Sequence, residues 1–191
     1  MQIAVKLTDN FRQEAIDNFD KIMKDSESYA KSDETTFESI VSTASLEIPG
    51  IKYKGVIGTI TINAPLLKVA SSYLKMRQNI TPETKDEVSC GTLFSKFYFF
   101  NADDEAEYNK LLAGEKSASF PLYTHNAVKS PVMIVKSRDF VSLGYVQVND
   151  DSVIAAFRYV DYPEENGKCV RGKVIAGVYK FVKDGDKTIA T

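Results

Sequence analysis

The chain has 191 residues and a net charge of −2, and 43% of its residues are hydrophobic. These values predict one folded domain with a sizeable core, and they argue against the basic surface that nucleic-acid binding requires. A single His and two separated Cys leave little from which to build a zinc site or a His-dependent catalytic triad. No apolar run is long enough to span a membrane and the amino terminus has no secretory pattern, so we expect a cytoplasmic protein with reduced thiols.

The first half of the chain alternates between helical and extended patterns. Residues 9–30 place apolar side chains at three- and four-residue steps, which predicts an amphipathic helix. Alternating and β-branched residues over 44–48 and 51–62 predict two strands joined by a Pro-Gly turn. A second helix is predicted over 65–77, because proline is tolerated in the first turn of a helix.

The segment 78–101 is less regular. An aromatic cluster within 87–100 predicts a strand, and core packing is the favoured role for these rings, with a wall facing a ligand as the alternative. Residues 102–113 predict a third helix, capped by Asn101 or Asp103. Its acidic first turn suits the helix dipole.

The remainder of the sequence predicts strands joined by short turns. The candidates are residues 117–128, 140–148, 152–161, 169–182 and a final strand that starts at 187–191. Consecutive strands with tight turns form antiparallel sheets, so the predicted fold class is α+β.

One connection between these strands is unusually apolar. Lys129 and Lys136 flank the run Pro131, Val132, Met133 and Ile134. A buried loop is one interpretation. The other is a lid whose apolar tip enters a bilayer while the lysines meet head groups.

Three segments, in order, resemble motifs of the START family, the steroidogenic-acute-regulatory-related lipid-transfer domains. Residues 49–65 resemble the β-hairpin of the family and the helix that follows it, and residues 130–143 resemble its Pro-containing loop followed by Arg-Asp-Phe-Val. Residues 152–163 and 170–179 resemble a strand pair of the family and its loop. The resemblance covers about residues 9–191.

The resemblance implies a helix-grip fold, in which a curved antiparallel sheet wraps around helices and encloses one apolar cavity for a single lipid. The chain then forms one domain over residues 1–191, with an insertion at about 78–101. It lacks the final strand segment and long C-terminal helix with which most members end. We therefore expect either a shortened form, or an open end of the cavity that the insertion, a partner or a second copy covers.

The resemblance also implies ligand contacts. In family members, polar residues on the helix before the fourth strand contact the ligand, and they correspond approximately to Glu105 and Asn109. Polar residues near the end of the fifth strand also contact it. These correspond to His125 or Asn126, because the register can slip by one. Further candidates, if the insertion reshapes the cavity, are Arg77, Arg158 and Tyr159. Arg138 and Asp139 are expected to form a structural ion pair at the base of the apolar loop, with a ligand contact as the alternative. Where some sterol-binding members carry Arg, this chain has Gly144.

Three functions are compatible with these patterns. The first is a carrier that binds one phospholipid, sterol or related lipid and transfers it between membranes, with transient contact at the membrane surface. The second is a lipid-sensing module without transfer activity. The third is a helix-grip enzyme that acts on a hydrophobic substrate through His125 or a carboxylate. Because nothing in the sequence pairs a nucleophile with a base, we expect no enzyme, no cofactor and no metal.

Overall fold

The computed structural model describes residues 9–37, 41–52, 54–77, 92–130, 135–161 and 169–191. The helices are α1 (Asp9–Ser28), α2 (Leu66–Arg77) and α3 (Ala102–Leu112). The strands are β1 (Ala30–Phe37), β2 (Val41–Glu47), β3 (Gly55–Ile62), β4 (Thr92–Tyr98), β5 (Phe120–Val128), β6 (Arg138–Val148), β7 (Ser152–Tyr159), β8 (Val170–Gly172), β9 (Gly177–Asp184) and β10 (Lys187–Ala190).

All the described strands belong to one open sheet of ten strands, in the order β1-β2-β3-β10-β9-β7-β6-β5-β4. Neighbours in this order pair antiparallel. The short strand β8 lies off this path and pairs in parallel with the start of β6, beyond the point where β7 ends. The predicted α+β class with an antiparallel sheet is confirmed.

The helices cover both faces of the sheet, and alternation along β7 shows which helix covers which face. Val153 and Ala155 pack in a cluster with α2 and α3. Ile154 and Ala156 pack against Phe19 of α1. Because successive strand residues point to opposite faces, α1 lies on one face and the α2 and α3 helices lie on the other. We call these the α1 face and the α2/α3 face.

The core of the α2/α3 face lies at one end of the sheet. Leu111 and Tyr108 of α3 pack with Phe120 and Leu122 of β5, and all four are at most 5% exposed. Burying an aliphatic or aromatic side chain of this size contributes roughly 1.5–3 kcal/mol. The Asn101 side chain accepts a hydrogen bond from the Asp104 backbone nitrogen, so the first of the two predicted caps starts α3.

Two strand predictions need correction. Strand β1 was not predicted. It is an edge strand with mostly exposed residues, so its sequence shows no alternation of apolar and polar residues. The strand predicted over 169–182 is two strands, since β8 pairs with β6 whereas β9 pairs with β7. The final strand β10 is formed and pairs with both β3 and β9.

The segment predicted as an insertion contributes to the sheet. Its residues 92–98 form β4, an edge strand paired with β5, as the aromatic cluster predicted. Residues 78–91 lie outside the described part of the chain, so the insertion as a whole stays a prediction.

Candidate functional site

A buried carboxylate organises the start of β6 on the α1 face. Asp139 is 1% exposed, and its Oδ2 atom accepts hydrogen bonds from His125 Nε2 at 3.1 Å and from Arg171 Nε at 3.1 Å. Arg171 Nη2 lies 3.0 Å from the same oxygen. The three side chains come from β5, β6 and β8, so this ion pair ties the short strand β8 to the sheet.

His125 in this cluster is neutral and structural. Burial, the dominant effect, lowers its pKa, and the neighbouring Asp139 opposes that shift only in part. Because an ionised carboxylate only accepts hydrogen bonds, Nε2 carries the ring proton. Phe94 packs edge-on against the imidazole, with 4.9 Å between ring centroids. The sequence prediction that Arg138 pairs with Asp139 is wrong, because the Arg138 side chain is exposed and donates instead to the Lys136 carbonyl oxygen at 2.7 Å.

The surroundings of the His125–Asp139 pair do not activate the neighbouring cysteine, Cys169, as a nucleophile. The thiol of Cys169 lies near Asp139, and burial together with the Asp139 charge raises the pKa of that thiol. An activated cysteine requires the opposite shift, towards the thiolate. Among the described residues, no group of three or more His, Cys, Asp or Glu could hold a metal ion.

On the α2/α3 face, the end of the sheet near the β5–β6 connection carries a group of polar and aromatic side chains. Thr124, Ser142 and Tyr159 lie side by side across β5, β6 and β7. One step further along, Asn126 lies opposite Phe140, and the Asn126 side-chain oxygen accepts a hydrogen bond of 2.7 Å from Ser95 of β4. Neither Phe140 nor Tyr159 belongs to the cluster packed by α2 and α3. We call these five residues, Thr124, Asn126, Phe140, Ser142 and Tyr159, the distal patch.

Two glycines leave space for aromatic rings in and beside the distal patch. Phe157 of β7 lies over Gly144 of β6, and Phe140 lies over Gly172 of β8. In both pairs the ring occupies the place that a Cβ atom would take. Phe157 also contacts Tyr179 of β9, with 6.2 Å between ring centroids. Aromatic surface therefore connects the distal patch to the α2/α3 core.

An arginine lies at the edge of this aromatic surface. Arg77, in the last turn of α2, places its guanidinium carbon 5.5 Å from the Tyr73 ring centroid and 5.6 Å from that of Tyr179. Its Nη2 atom donates to the Tyr179 hydroxyl at 3.4 Å. Burial raises the pKa of Tyr73, so that phenol stays protonated and can donate a hydrogen bond. In the described part of the chain, no carboxylate lies within salt-bridge distance of Arg77.

The structure separates the residues that the sequence nominated as ligand contacts. Asn126, Tyr159 and Arg77 lie on the α2/α3 face. His125 and Arg158 point to the α1 face, since Arg158 pairs with Leu143, which packs against α1. The side chains of the other two nominated residues, Glu105 and Asn109, are exposed on α3. The proposed lid residues Pro131, Val132, Met133 and Ile134 lie outside the described residues.

Sequence reasoning missed several residues of the α2/α3 face. Thr124 and Ser142 were not nominated, although both share the strand parity of the apolar residues Phe120 and Val146 in the core. Counting in steps of two from those residues would have found them. The contact of Tyr179 with Arg77 joins β9 to α2, and no local pattern predicts it.

No family model and no curated protein matches the sequence. Solved structures match at low identity. The STAR-related lipid transfer protein from Xanthomonas axonopodis has a TM-score of 0.60 at 13% identity and covers 85% of this chain and 77% of its own. Human STARD10 has a TM-score of 0.59 at 10% identity, over 100% of this chain and 66% of that one. Human StAR-related lipid transfer protein 5 has a TM-score of 0.56 at 15% identity, over 93% and 76% of the two chains.

The open antiparallel sheet with helices on both faces places the chain in the α+β class. More closely, its fold is START-like, the helix-grip architecture of these lipid-transfer domains, as the sequence resemblance implied. None of the described helices is both long enough and apolar enough to cross a membrane.

Proposed function

We propose that this protein binds one lipid on the α2/α3 face and carries it between membranes. The observation that carries the proposal is a set of four half-buried aromatic side chains on that face next to polar groups: Phe140, Phe157, Tyr159 and Tyr179. The START-like fold supports this choice, since the solved structures that share it include lipid transfer proteins. The apolar cavity expected from the sequence would lie between this surface and the helices.

The energetics of lipid solubility explain why such a surface is sufficient for transfer. Each methylene group removed from water contributes ~0.8 kcal/mol, so a sixteen-carbon chain corresponds to about 12 kcal/mol. A protein surface that restores most of this free energy makes the monomeric lipid accessible in water. No reactive group is required, which agrees with the protonated thiol and the neutral, structural imidazole on the opposite face.

Polar residues at two places on the α2/α3 face would contact polar groups of the lipid, because Tyr179, which Arg77 contacts, pairs with Ala155, four residues along β7 from Tyr159. Asn126 and Tyr159 of the distal patch offer an amide and a phenol, and Arg77 offers a cation that no described carboxylate neutralises. A guanidinium binds phosphate oxygens through two parallel hydrogen bonds. We therefore infer that a lipid with a phosphate in its head group is preferred over a sterol.

The sensing alternative differs from the carrier in kinetics rather than in binding. Protein purified from its own cells should carry a co-purified lipid, identified by native mass spectrometry, and should move a fluorescent phospholipid between vesicles. Tyr159→Ala should lower lipid occupancy, whereas Arg158→Ala should preserve it, because the two neighbours point to opposite faces. A protein that binds lipid without moving it would be a sensor. Equal loss of lipid occupancy in both variants would contradict the assignment of lipid binding to the α2/α3 face.

A further inference from the structure

Two buried hydroxyl groups lie side by side in the distal patch. Thr124 of β5 and Ser142 of β6 are cross-strand neighbours, and each is 3% exposed. In the described part of the chain neither hydroxyl has a hydrogen-bond partner, whereas the nearby Ser95 hydroxyl donates to Asn126 at 2.7 Å. Among the described residues only Ser117 has a fully enclosed polar side-chain atom without a partner, so the Thr124 and Ser142 oxygens are still accessible. Buried polar groups without partners are costly and rare, and these two therefore indicate a ligand that supplies the missing partner.

We propose that the ligand is a lipid whose chain carries an uncharged oxygen group, a hydroxyl or a carbonyl, in addition to an anionic head group. This inference rests on the proposed function and extends it. The chain oxygen would hydrogen-bond to Thr124 and Ser142, while the head group contacts Arg77. Because a hydroxyl side chain can both donate and accept, one oxygen group can satisfy both residues. An unsubstituted hydrocarbon chain would leave both without a partner.

The sheet register gives the spacing between the two polar places. Ser142 pairs with Tyr159 of β7. Tyr179, whose hydroxyl accepts from Arg77 at 3.4 Å, pairs with Ala155, four residues earlier on β7. A strand rises by ~3.3 Å per residue, so the two places lie roughly 13 Å apart along the sheet. An extended chain covers roughly 1.2 Å per bond, so about eleven bonds separate the head group from the chain oxygen.

The row of side chains between the two polar places is apolar. Phe157, Gly144 and Leu122 are aligned across β7, β6 and β5. The Phe157 ring fills the space over Gly144, and Leu122 is fully buried. None of these three side chains can form a hydrogen bond, so the row suits the methylene groups of a lipid chain. Along the face the order is therefore polar, apolar and polar, as such a lipid requires.

The two polar places differ in charge and in burial. Arg77 is exposed, and no carboxylate in the described residues lies within salt-bridge distance of it. The cation that adjoins the other place, Lys173, lies 4.6 Å from the Tyr159 ring centroid and is already paired with Asp161 at 3.3 Å. An ionised group at the buried hydroxyls would lose its hydration without gaining an opposite charge. The anionic head group is therefore assigned to Arg77, and the oxygen at the buried hydroxyls is uncharged.

Three phosphates of equal chain length test the spacing. Octadecyl phosphate has no chain oxygen, 10-hydroxyoctadecyl phosphate carries a hydroxyl about eleven bonds from the phosphorus atom, and 2-hydroxyoctadecyl phosphate carries it next to the head group. Displacement of a bound fluorescent phospholipid measures each affinity. The 10-hydroxy probe should bind roughly tenfold more tightly than octadecyl phosphate, since two buried hydroxyls regain a partner. The 2-hydroxy probe should show no such gain. Equal affinity for all three would overturn the proposal.

A double variant tests the two residues. Thr124→Val/Ser142→Ala removes both hydroxyls with little change in side-chain shape, so the ratio of the affinities for the 10-hydroxy probe and octadecyl phosphate should fall to about one. The matched control, Thr59→Val/Ser42→Ala, makes the same changes at a cross-strand pair of β3 and β2 and should keep the wild-type ratio. The ratio compares two ligands on one protein, so a change in stability does not alter it. An unchanged ratio in Thr124→Val/Ser142→Ala would contradict the assignment.

The same probes separate this inference from the proposed function. If octadecyl phosphate displaces the fluorescent phospholipid and the 10-hydroxy probe binds no better, the chain oxygen is refuted and lipid binding stands. If neither the fluorescent phospholipid nor any of the three phosphates binds, the proposed function fails as well.

Discussion

The ring of Phe157 lies directly on the backbone of Gly144, its cross-strand neighbour on the α2/α3 face. A glycine within a strand costs backbone entropy and leaves a gap, and the aromatic ring fills that gap. The sequence resemblance aligns Gly144 with a position where some sterol-binding members carry Arg. Here a side chain at 144 and the ring of Phe157 exclude each other, so this part of the proposed binding face is apolar.

Gly144→Ala should destabilise the protein by about 1–3 kcal/mol, because the added Cβ atom clashes with the Phe157 ring. Chemical denaturation measures this change in the free energy of unfolding. Gly58→Ala is the matched control, since a Cβ atom there meets nothing closer than 3.9 Å. Combining Gly144→Ala with Phe157→Ala should cost less than the sum of the two single changes. Full additivity would show that the two positions do not interact.

The stability of the fold should depend on pH through His125, the only histidine of the sequence. Burial lowers its pKa in the folded state below the ordinary value of 6.5. Above pH 6.5 the ring is neutral in both the folded and the unfolded state, so protonation of His125 does not reduce the free energy of unfolding. As the pH falls below 6.5, the unfolded chain binds a proton more readily than the folded one, and stability is lost.

Denaturation of the wild type at about pH 7.5 and about pH 5.5 measures this loss. His125→Gln keeps a hydrogen-bond donor for Asp139 but does not titrate, so its stability should change less over the same interval. An identical pH dependence in the two proteins would mean that His125 is not the responsible group.

Arg77→Gln should lower the affinity for a phospholipid about tenfold or more, because a charge-assisted hydrogen bond contributes about 1.5–3 kcal/mol. Lys75→Gln removes the same charge from the same last turn of α2 and is the matched control. Vesicle-competition binding with a phospholipid and with a sterol measures the effect. The inferred phosphate contact requires that the phospholipid is affected and the sterol is not.

A bidentate ion pair joins α1 to α3. Arg12 donates from Nη2 to Asp104 Oδ1 at 2.9 Å and from Nε to Asp104 Oδ2 at 3.1 Å. Asp104→Asn should therefore cost about 2 kcal/mol of unfolding free energy, since charged hydrogen bonds to a buried carboxylate are lost. Asp103→Asn, an exposed change in the same helical turn, should have little effect. Similar costs for the two variants would contradict the role of the pair.

Local pattern was sufficient for most of the secondary structure. The helices α1, α2 and α3 lie where apolar spacing and caps predicted them, because a helix forms one stripe with a fixed period. Short turns between extended segments correctly predicted an antiparallel sheet. The edge strand β1 escaped prediction because its residues face solvent on both sides and therefore show no alternation.

The candidate site was predictable only in part. The sequence could not choose between His125 and Asn126, because adjacent strand residues face opposite ways and a shift of one residue exchanges them. The sheet register assigned Asn126 to the α2/α3 face and His125 to the buried cluster on the α1 face. The same parity separated Tyr159 from Arg158.

The sequence by itself therefore determined the α+β class, the three helices and most of the strands, and the resemblance to START domains. The fold class follows from periodicity and turn residues, which act over a few neighbouring positions, whereas the resemblance rests on three segments of similar sequence. Only the tertiary structure decided that Arg171, rather than Arg138, pairs with Asp139, and that Arg77 meets Tyr179. Such contacts join residues far apart in the chain, and the packing of the whole sheet selects them.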